Sequence, residues 1–299
     1  MSKIAFIGVG KMGAPMVHNL LKKGHCVSVF DLDSEAVQRC REWGADSATS
    51  PIDAVNRADI IFTMLQTADQ VREVCLGQQG IFAHLIPEAL YIDSSSIDIE
   101  STRFLHSEAK QRNIAMLDAP VSGGVKGAEA ASLTIMVGGS TENFERGRAT
   151  LEQLGKFVFH AGPSGNGQAA KICNNLILGI SMIAVSEGFI LAEKLGLEPK
   201  KFFEISSHSS GECWAMTHYN PVPGVLENVP ANNNYRPGFT AAMMLKDLKL
   251  GQSAVQTAHI TTELAAKATQ IYQQLIDQGH GNLDFSAIIK LIRTGNDRH

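Results

Sequence analysis

The stretch Gly165-Asn-Gly-Gln-Ala-Ala-Lys171-Ile-Cys-Asn-Asn175 carries two amides and an amine at helical spacing. Gln168, Lys171 and Asn175 lie three and four residues apart, so a helix projects all three side chains from one face. A lysine amine can take a proton from a hydroxyl and return it, and an amide one turn on can hold a substrate oxygen or the amine itself. The glycines ahead of the helix let a ligand come close to backbone. A satisfied structural cation at Lys171 is the competing reading.

The run that follows, Leu176 to Val185, is apolar on nearly every face, which predicts a helix packed on all sides and reaching about Leu195. Glu187 and Glu193 interrupt it, and the uninterrupted part falls short of the roughly 18 residues a membrane span needs. Lys171 is therefore expected in a dry cleft lined by protein.

Upstream, Ile4 to Ile7 read as a strand, Gly8-Val-Gly10-Lys11-Met12-Gly13 as a turn, and Met16 to Leu21 as a helix. In a dinucleotide-binding turn the first glycine makes the bend, the second admits a pyrophosphate and the third lets helix pack on strand. The next strand, Val27 to Phe30, ends in Asp31, placed to bind the adenosine ribose hydroxyls. A 2′-phosphate would meet Asp31 and Asp33 with no arginine between them, so NAD is expected over NADP. The alternative for Asp31 is a helix N-cap or turn acid. Further strands at 59–65, 90–93, 115–118, 133–137 and 157–159 complete a domain near Gly162. Ligands bind beyond the C-terminal ends of such strands, which points Met64, Leu65, Gln66 and Ser96 at the cofactor.

Asp118-Ala-Pro-Val-Ser122-Gly123-Gly124 supplies a hydroxyl and glycine amides that can grip an anion; a plain turn is the alternative. Beyond Leu195 the pattern is helical only, over 200–207, 239–256 and 264–278. Lys246 is a candidate cofactor or substrate ligand or a solvated helix lysine, and Trp214 and Phe239 read more readily as core than as pocket lining.

With 299 residues, 44% hydrophobic, and a formal charge of -4, the chain has ample core for two domains and no basic field for nucleic acid. Its five cysteines are widely spaced with no C-x-x-C pair, as expected of reduced thiols in a cytoplasmic protein. No metal-ligand spacing and no G-x-S-x-G elbow occurs, and the N-terminus reads as a strand from Lys3, so no targeting segment is expected.

Taken together, Gly8-x-Gly10-x-Met-Gly13-x-Pro-Met16, Asp118 to Gly124, Gly165-x-Gly-x-x-x-Lys171-x-x-x-Asn175 and Lys246-Asp-Leu248 resemble the β-hydroxyacid dehydrogenase family over essentially the whole chain. Within it, Ser209-Ser-Gly-x-x-Trp214 and Tyr219-Asn-Pro-Val-Pro-Gly-Val225 look most like 3-hydroxyisobutyrate dehydrogenases and relatives that oxidise L-serine.

The resemblance implies an α/β fold: a doubly wound Rossmann domain over 1–163, a long connecting helix over 164–195, an all-helical domain over 196–293 and a polar tail over 294–299. It implies an active site between the domains and a homodimer or homotetramer. It makes Lys171 catalytic with Asn175 assisting, assigns the substrate carboxylate to Ser122, Gly123 and Gly124, and gives Lys246 contacts to cofactor and substrate. Leu65 and Ser96 fall on its cofactor-contact positions; Gln66 replaces the usual proline, and Ser96 stands where threonine is commoner. Imine-reducing relatives lack the lysine, and phosphogluconate dehydrogenases carry a larger helical domain.

The expected reaction is reversible oxidation of a 3-hydroxy acid's primary alcohol by NAD, with burial and the charge of Lys246 lowering the Lys171 pKa from about 10.4. 3-Hydroxyisobutyrate, an intermediate of valine breakdown, is the first candidate substrate. L-Serine and the tartronate semialdehyde couple are alternatives, and a non-catalytic NAD-binding sensor is the alternative of another class.

Overall fold

The computed structural model describes residues 1–296, and the chain divides into two compact units, Met1–Lys171 and Ile172–His299. In the first unit strands and helices alternate. The strands are β1 (Lys3–Ile7), β2 (Cys26–Phe30), β3 (Asp46–Ser47), β4 (Ile60–Thr63), β5 (Leu90–Asp93), β6 (Ala115–Asp118), β7 (Val121–Ser122), β8 (Leu133–Gly138) and β9 (Gly155–Gly162). Between them run α1 (Gly13–Lys22), α2 (Ser34–Glu42), α3 (Pro51–Val55), α4 (Ala68–Leu76), α5 (Ile99–Gln111), α6 (Gly124–Glu129) and α7 (Thr141–Leu151).

The sheet order is β3-β2-β1-β4-β5-β6-β8-β7, with β9 beside β8. The strands from β3 to β6 are all parallel, and β8 turns antiparallel to β6 and β7. The doubly wound sheet read from the sequence is what forms. Parallel strands need apolar residues on both faces, because crossover helices cover both. Ile4 and Phe6 join Ile60, Phe62, Leu90 and Ile92 in one core, while Ala5 and Ile7 join Ile61, Tyr91 and Met116 in the other. The reversal of strand order at β1 and β4 brings the loops after both strands together, where ligands of such sheets sit.

The second unit is helical, and among its described residues the only extended pairing is one isolated bridge between Thr240 and Asp284. The 29-residue α8 (Asn166–Lys194) leads into it, followed by α9 (Pro199–Ser206), α10 (Trp214–Thr217), α11 (Ala241–Thr257), α12 (Glu263–Leu275) and α13 (Ile288–Asn296). Its core joins Met182, Val185 and Phe189 of α8 to Met244 and Leu248 of α11, Tyr272 of α12 and Ile288 of α13. Gly179 lets α11 come close: a Cβ there would stand 2.9 Å from Leu248.

Two expectations change. α8 is long and apolar enough to cross a membrane, and half of its most apolar window is buried in the protein. It is not packed on all sides, since Ile177 and Leu191 are 67% and 60% exposed. Thr294 to Asn296, expected in a tail, continue α13; residues 297–299 lie outside the described residues.

Candidate active site

The glycine turn forms because Gly8 has φ +94°, a conformation costly for any residue with a Cβ. Its neighbours leave no room either, as a Cβ would stand 2.3 Å from the Met64 carbonyl oxygen. That crowding brings Met64 and Leu65, at the end of β4, against the turn. Gly10 differs: it is exposed, and a Cβ there would meet nothing within 4 Å. Gly13 packs so that its Cβ would overlap the Gly8 carbonyl at 2.0 Å.

Lys11 is exposed and Met12, half-buried, is the N-cap of α1. Met12 makes no side-chain cap, and neither does Gly123 ahead of α6, whereas Asp33, Ser50, Thr67, Asp98 and Ser140 cap α2, α3, α4, α5 and α7. With no cap from the Met12 side chain, the helix dipole still favours a phosphate at this end, although the Ala14 amide donates to the Gly10 carbonyl at 3.0 Å and Pro15 has no N–H.

Asp31 is held beside this turn: one carboxylate oxygen accepts from the Val9 amide at 2.7 Å and the other from the Asp33 amide at 2.9 Å. The N-cap of α2 is Asp33, so Asp31 is free of that duty. Each Asp31 oxygen keeps a lone pair for a ribose hydroxyl. The open space over Gly10, the uncapped α1 and the fixed acid together fit an adenine dinucleotide.

The loops after β4 and β5 are tied to each other. The Leu65 amide donates to Ser95 Oγ at 2.9 Å, and the Ser95 amide donates to Asp93 Oδ1 at 3.1 Å. The Thr63 hydroxyl also donates to Asp93 Oδ1, at 2.8 Å. Burial pushes the Asp93 carboxyl up to about 6, against the lowering effect of the Ser95 and Thr63 hydrogen bonds and with a smaller push from Asp118. Ser96 is half-buried in this loop, between two residues bound to Gln168 of α8.

Ser122 stands in the short strand β7 opposite Thr134, and Gly123 and Gly124 follow with φ +130° and +63°. Four residues upstream, Asp118 organises the site in a way the sequence reading missed. It is fully buried; its Oδ1 accepts from the Gly165 amide at 2.8 Å and from His106 Nε2 at 2.9 Å, and its Oδ2 accepts from the Gln168 amide at 3.1 Å. One carboxylate therefore closes the first turn of α8 and anchors the segment that leads to Ser122. Gly138 and Gly167 make this possible, since a Cβ on either would come within 2.7 Å of that carboxylate.

Of the three side chains expected on one face of α8, Gln168 and Asn175 are buried and Lys171 is half-buried. The Asn175 amide donates to Asp247 Oδ2 at 2.5 Å, and its oxygen accepts from Asn174 at 3.0 Å. Lys246 is half-buried on α11, whose N-terminus Thr240 caps, and Asp247 beside it is buried. Asp247 went unassigned in the sequence reading; its place between Lys246 and Leu248 in a family motif was the available signal. Trp214 is 48% exposed and stacks on Tyr219, so it is not core. Phe239 packs edge-on against Phe285 in the helical core.

A glycine turn before an uncapped helix, a fixed acid beside it and a lysine on the helix that leaves the sheet define a dinucleotide-dependent oxidoreductase. Residues 3–162 match the family described as the NAD binding domain of 6-phosphogluconate dehydrogenase. Residues 165–292 match that described as the NAD-binding domain of NADP-dependent 3-hydroxyisobutyrate dehydrogenase. An NAD-dependent L-serine dehydrogenase of Pseudomonas aeruginosa is 46% identical, the alignment covering 97% of this chain and 98% of the relative. A 3-hydroxyisobutyrate dehydrogenase of the same organism is 43% identical, with 98% and 99% covered. The solved structure of Mycobacterium tuberculosis 3-hydroxyisobutyrate dehydrogenase with L-serine superposes with a TM-score of 0.92 at 43% identity, over 98% of this chain and 99% of that one. The chain belongs to the β-hydroxyacid dehydrogenase family and is an NAD-dependent oxidoreductase.

Proposed function

We propose that the protein oxidises the primary alcohol of a small 3-hydroxy acid, HO–CH2–CHR–COO⁻, reversibly to the semialdehyde, with 3-hydroxyisobutyrate as its substrate. The observation that carries this reading is the Asp118 carboxylate, which ties the helix of Lys171 to the segment of Ser122. A proton-transfer group and an anion-binding segment are thereby built onto one rigid support, as orientation of a short hydroxy acid requires.

The Ser122 hydroxyl and the amides of Gly123 and Gly124 grip the substrate carboxylate. Lys171 takes the hydroxyl proton during oxidation and returns it during reduction. Asn175, one turn on, assists Lys171, and Lys246 contacts cofactor and substrate. NAD, when bound at Gly8, Gly10, Lys11, Met12, Gly13, Asp31, Met64, Leu65 and Ser96, supplies the hydride acceptor.

L-Serine is the second reading, favoured by the 46%-identical relative that bears that name. It differs only in the group at C2, and tartronate semialdehyde is the corresponding product when that group is hydroxyl. Methyl, ammonium and hydroxyl are of similar size, and one methyl's contact discriminates by about 1–3 kcal/mol, whereas a buried polar partner does far better. All five cysteines are free, in keeping with a cytoplasmic location. Exposed Ile177 and Leu191 on α8 support a homodimer or homotetramer.

Initial rates of NADH formation test the substrate. A kcat/KM higher for 3-hydroxyisobutyrate than for L-serine supports valine breakdown; the reverse order names a serine dehydrogenase. NAD binding without turnover of either acid or of glycerate would leave a non-catalytic sensor.

A further inference from the structure

We infer that Gln168 is a positioning residue that locks the loops after β4 and β5 to the helix carrying Lys171. The inference rests on the proposed role of Lys171. Gln168 is wholly buried, and both ends of its amide are engaged by one loop. Its Nε2 donates to the Ser95 carbonyl at 2.6 Å, and its Oε1 accepts from the Ile97 amide at 3.4 Å. A primary amide presents one donor and one acceptor side by side, which matches a carbonyl and an N–H two residues apart on a single strand of backbone. Glutamate lacks the donor, leucine lacks both groups, and asparagine is one methylene shorter.

The same loop reaches further. The Ser95 amide donates to Asp93, and Ser95 Oγ accepts from the Leu65 amide. Ser95 therefore uses its N–H, its hydroxyl and its carbonyl to join β5, the loop after β4 and α8. Ser96, a proposed cofactor contact, lies between the two residues that Gln168 binds. On the helix, the Gln168 backbone is pinned by Asp118, and Lys171 follows three residues later, one turn along and on the same side. A displaced amide at 168 shifts the cofactor loops against the amine. Ser122 is tied through Asp118 and does not depend on the Gln168 side chain.

The test compares Gln168→Glu, Ser95→Ala and the double variant in the full-length protein. It reads NAD dissociation constant by fluorescence titration, kcat, KM for the hydroxy acid, and Tm. Gln168→Glu is expected to lower kcat by about 10- to 100-fold and weaken NAD several-fold, with KM for the hydroxy acid within about two-fold. Ser95→Ala keeps the carbonyl that Gln168 binds and removes the hydroxyl's tie to the Leu65 amide; it should shift both in the same direction, and the double variant should lose no more than the worse single one, since the two ties act in series between the loop after β4 and α8.

A fall in Tm with kcat and NAD affinity unchanged would overturn the inference, as would effects that simply multiply. If Gln168→Glu fails to fold, Gln168→Asn, which keeps the amide but falls one methylene short of the Ser95 carbonyl, decides alone: unchanged NAD affinity and kcat overturn it. Lys171→Ala separates the two ideas. Turnover retained in that variant removes Lys171 from the chemistry, while the NAD affinity of the Gln168 variant still reads the linkage.

Discussion

Asn175 Nδ2 and Asp247 Oδ2 are 2.5 Å apart and both residues are buried, so α8 and α11 are joined by a charge-assisted hydrogen bond within the helical unit. Such a bond contributes about 1.5–3 kcal/mol, and removing its acceptor strands a buried amide. Asp247→Ala should therefore lower stability by about 2–3 kcal/mol in urea unfolding. It should also reduce kcat, since Lys246 stands beside it on the same helix. An unchanged urea midpoint would show that water replaces the carboxylate.

Lys171→Ala should reduce kcat by about 1,000-fold or more, because the hydroxyl proton loses its acceptor, with NAD affinity kept within a few-fold. In the parent enzyme oxidative kcat should rise with pH as the amine deprotonates. Stopped-flow NADH formation and NAD titration measure the two effects. Loss of NAD binding in the variant would indicate a cofactor contact instead.

Gly8→Ala and Gly10→Ala should fail in different ways. At Gly8 the added Cβ meets the Met64 carbonyl in a positive-φ backbone, and a stability loss of at least about 2 kcal/mol is expected. At Gly10 the space is open, so Tm should hold while the NAD dissociation constant rises by about ten-fold or more. Calorimetry and fluorescence titration distinguish them.

Asp31→Ala should shift the NADP-to-NAD ratio of kcat/KM upward by about 10-fold or more, if as proposed the carboxylate binds the ribose and so repels a 2′-phosphate. The Val9 and Asp33 amides also lose their acceptor, so overall NAD activity should fall. A ratio that does not move would separate Asp31 from cofactor choice.

Asp93→Asn bears on pH. The folded carboxyl titrates near 6 against an ordinary 3.8, so its stabilising contribution is full below 3.8 and lost as pH rises through 6. Asp93 Oδ2 is buried without a partner, and Asp118 stands opposite in the β5–β6 register. At pH 7.5 the asparagine variant should be more stable, by about 3 kcal/mol at most, with the difference vanishing near pH 4. A constant difference across that range would show that burial does not shift this carboxyl, and a variant that loses relative stability as pH rises would place the ionised carboxylate in a favourable site.

The strands, the glycine turn and the helix that carries Lys171 were legible because their signals are local: short continuous apolar runs, a six-residue turn and a long apolar stretch. The supports of the site were not. Asp118 binds partners 47 and 50 residues away, Gln168 reaches back 71 and 73, and Asn175 reaches forward 72. No spacing rule connects residues so far apart. The sidedness of α8 was hidden for another reason: a helix apolar all round has no polar stripe to mark the face carrying Ile177 and Leu191.

The glycines at 138 and 167 have an evolutionary consequence. Each must lack a side chain because the same carboxylate occupies the space, so a change at Asp118, Gly138 or Gly167 is penalised unless the others change with it. Mutational drift is blocked there by geometry, whatever acid the enzyme takes. Changes of substrate would then accumulate elsewhere, on a support that descendants with different preferences inherit intact.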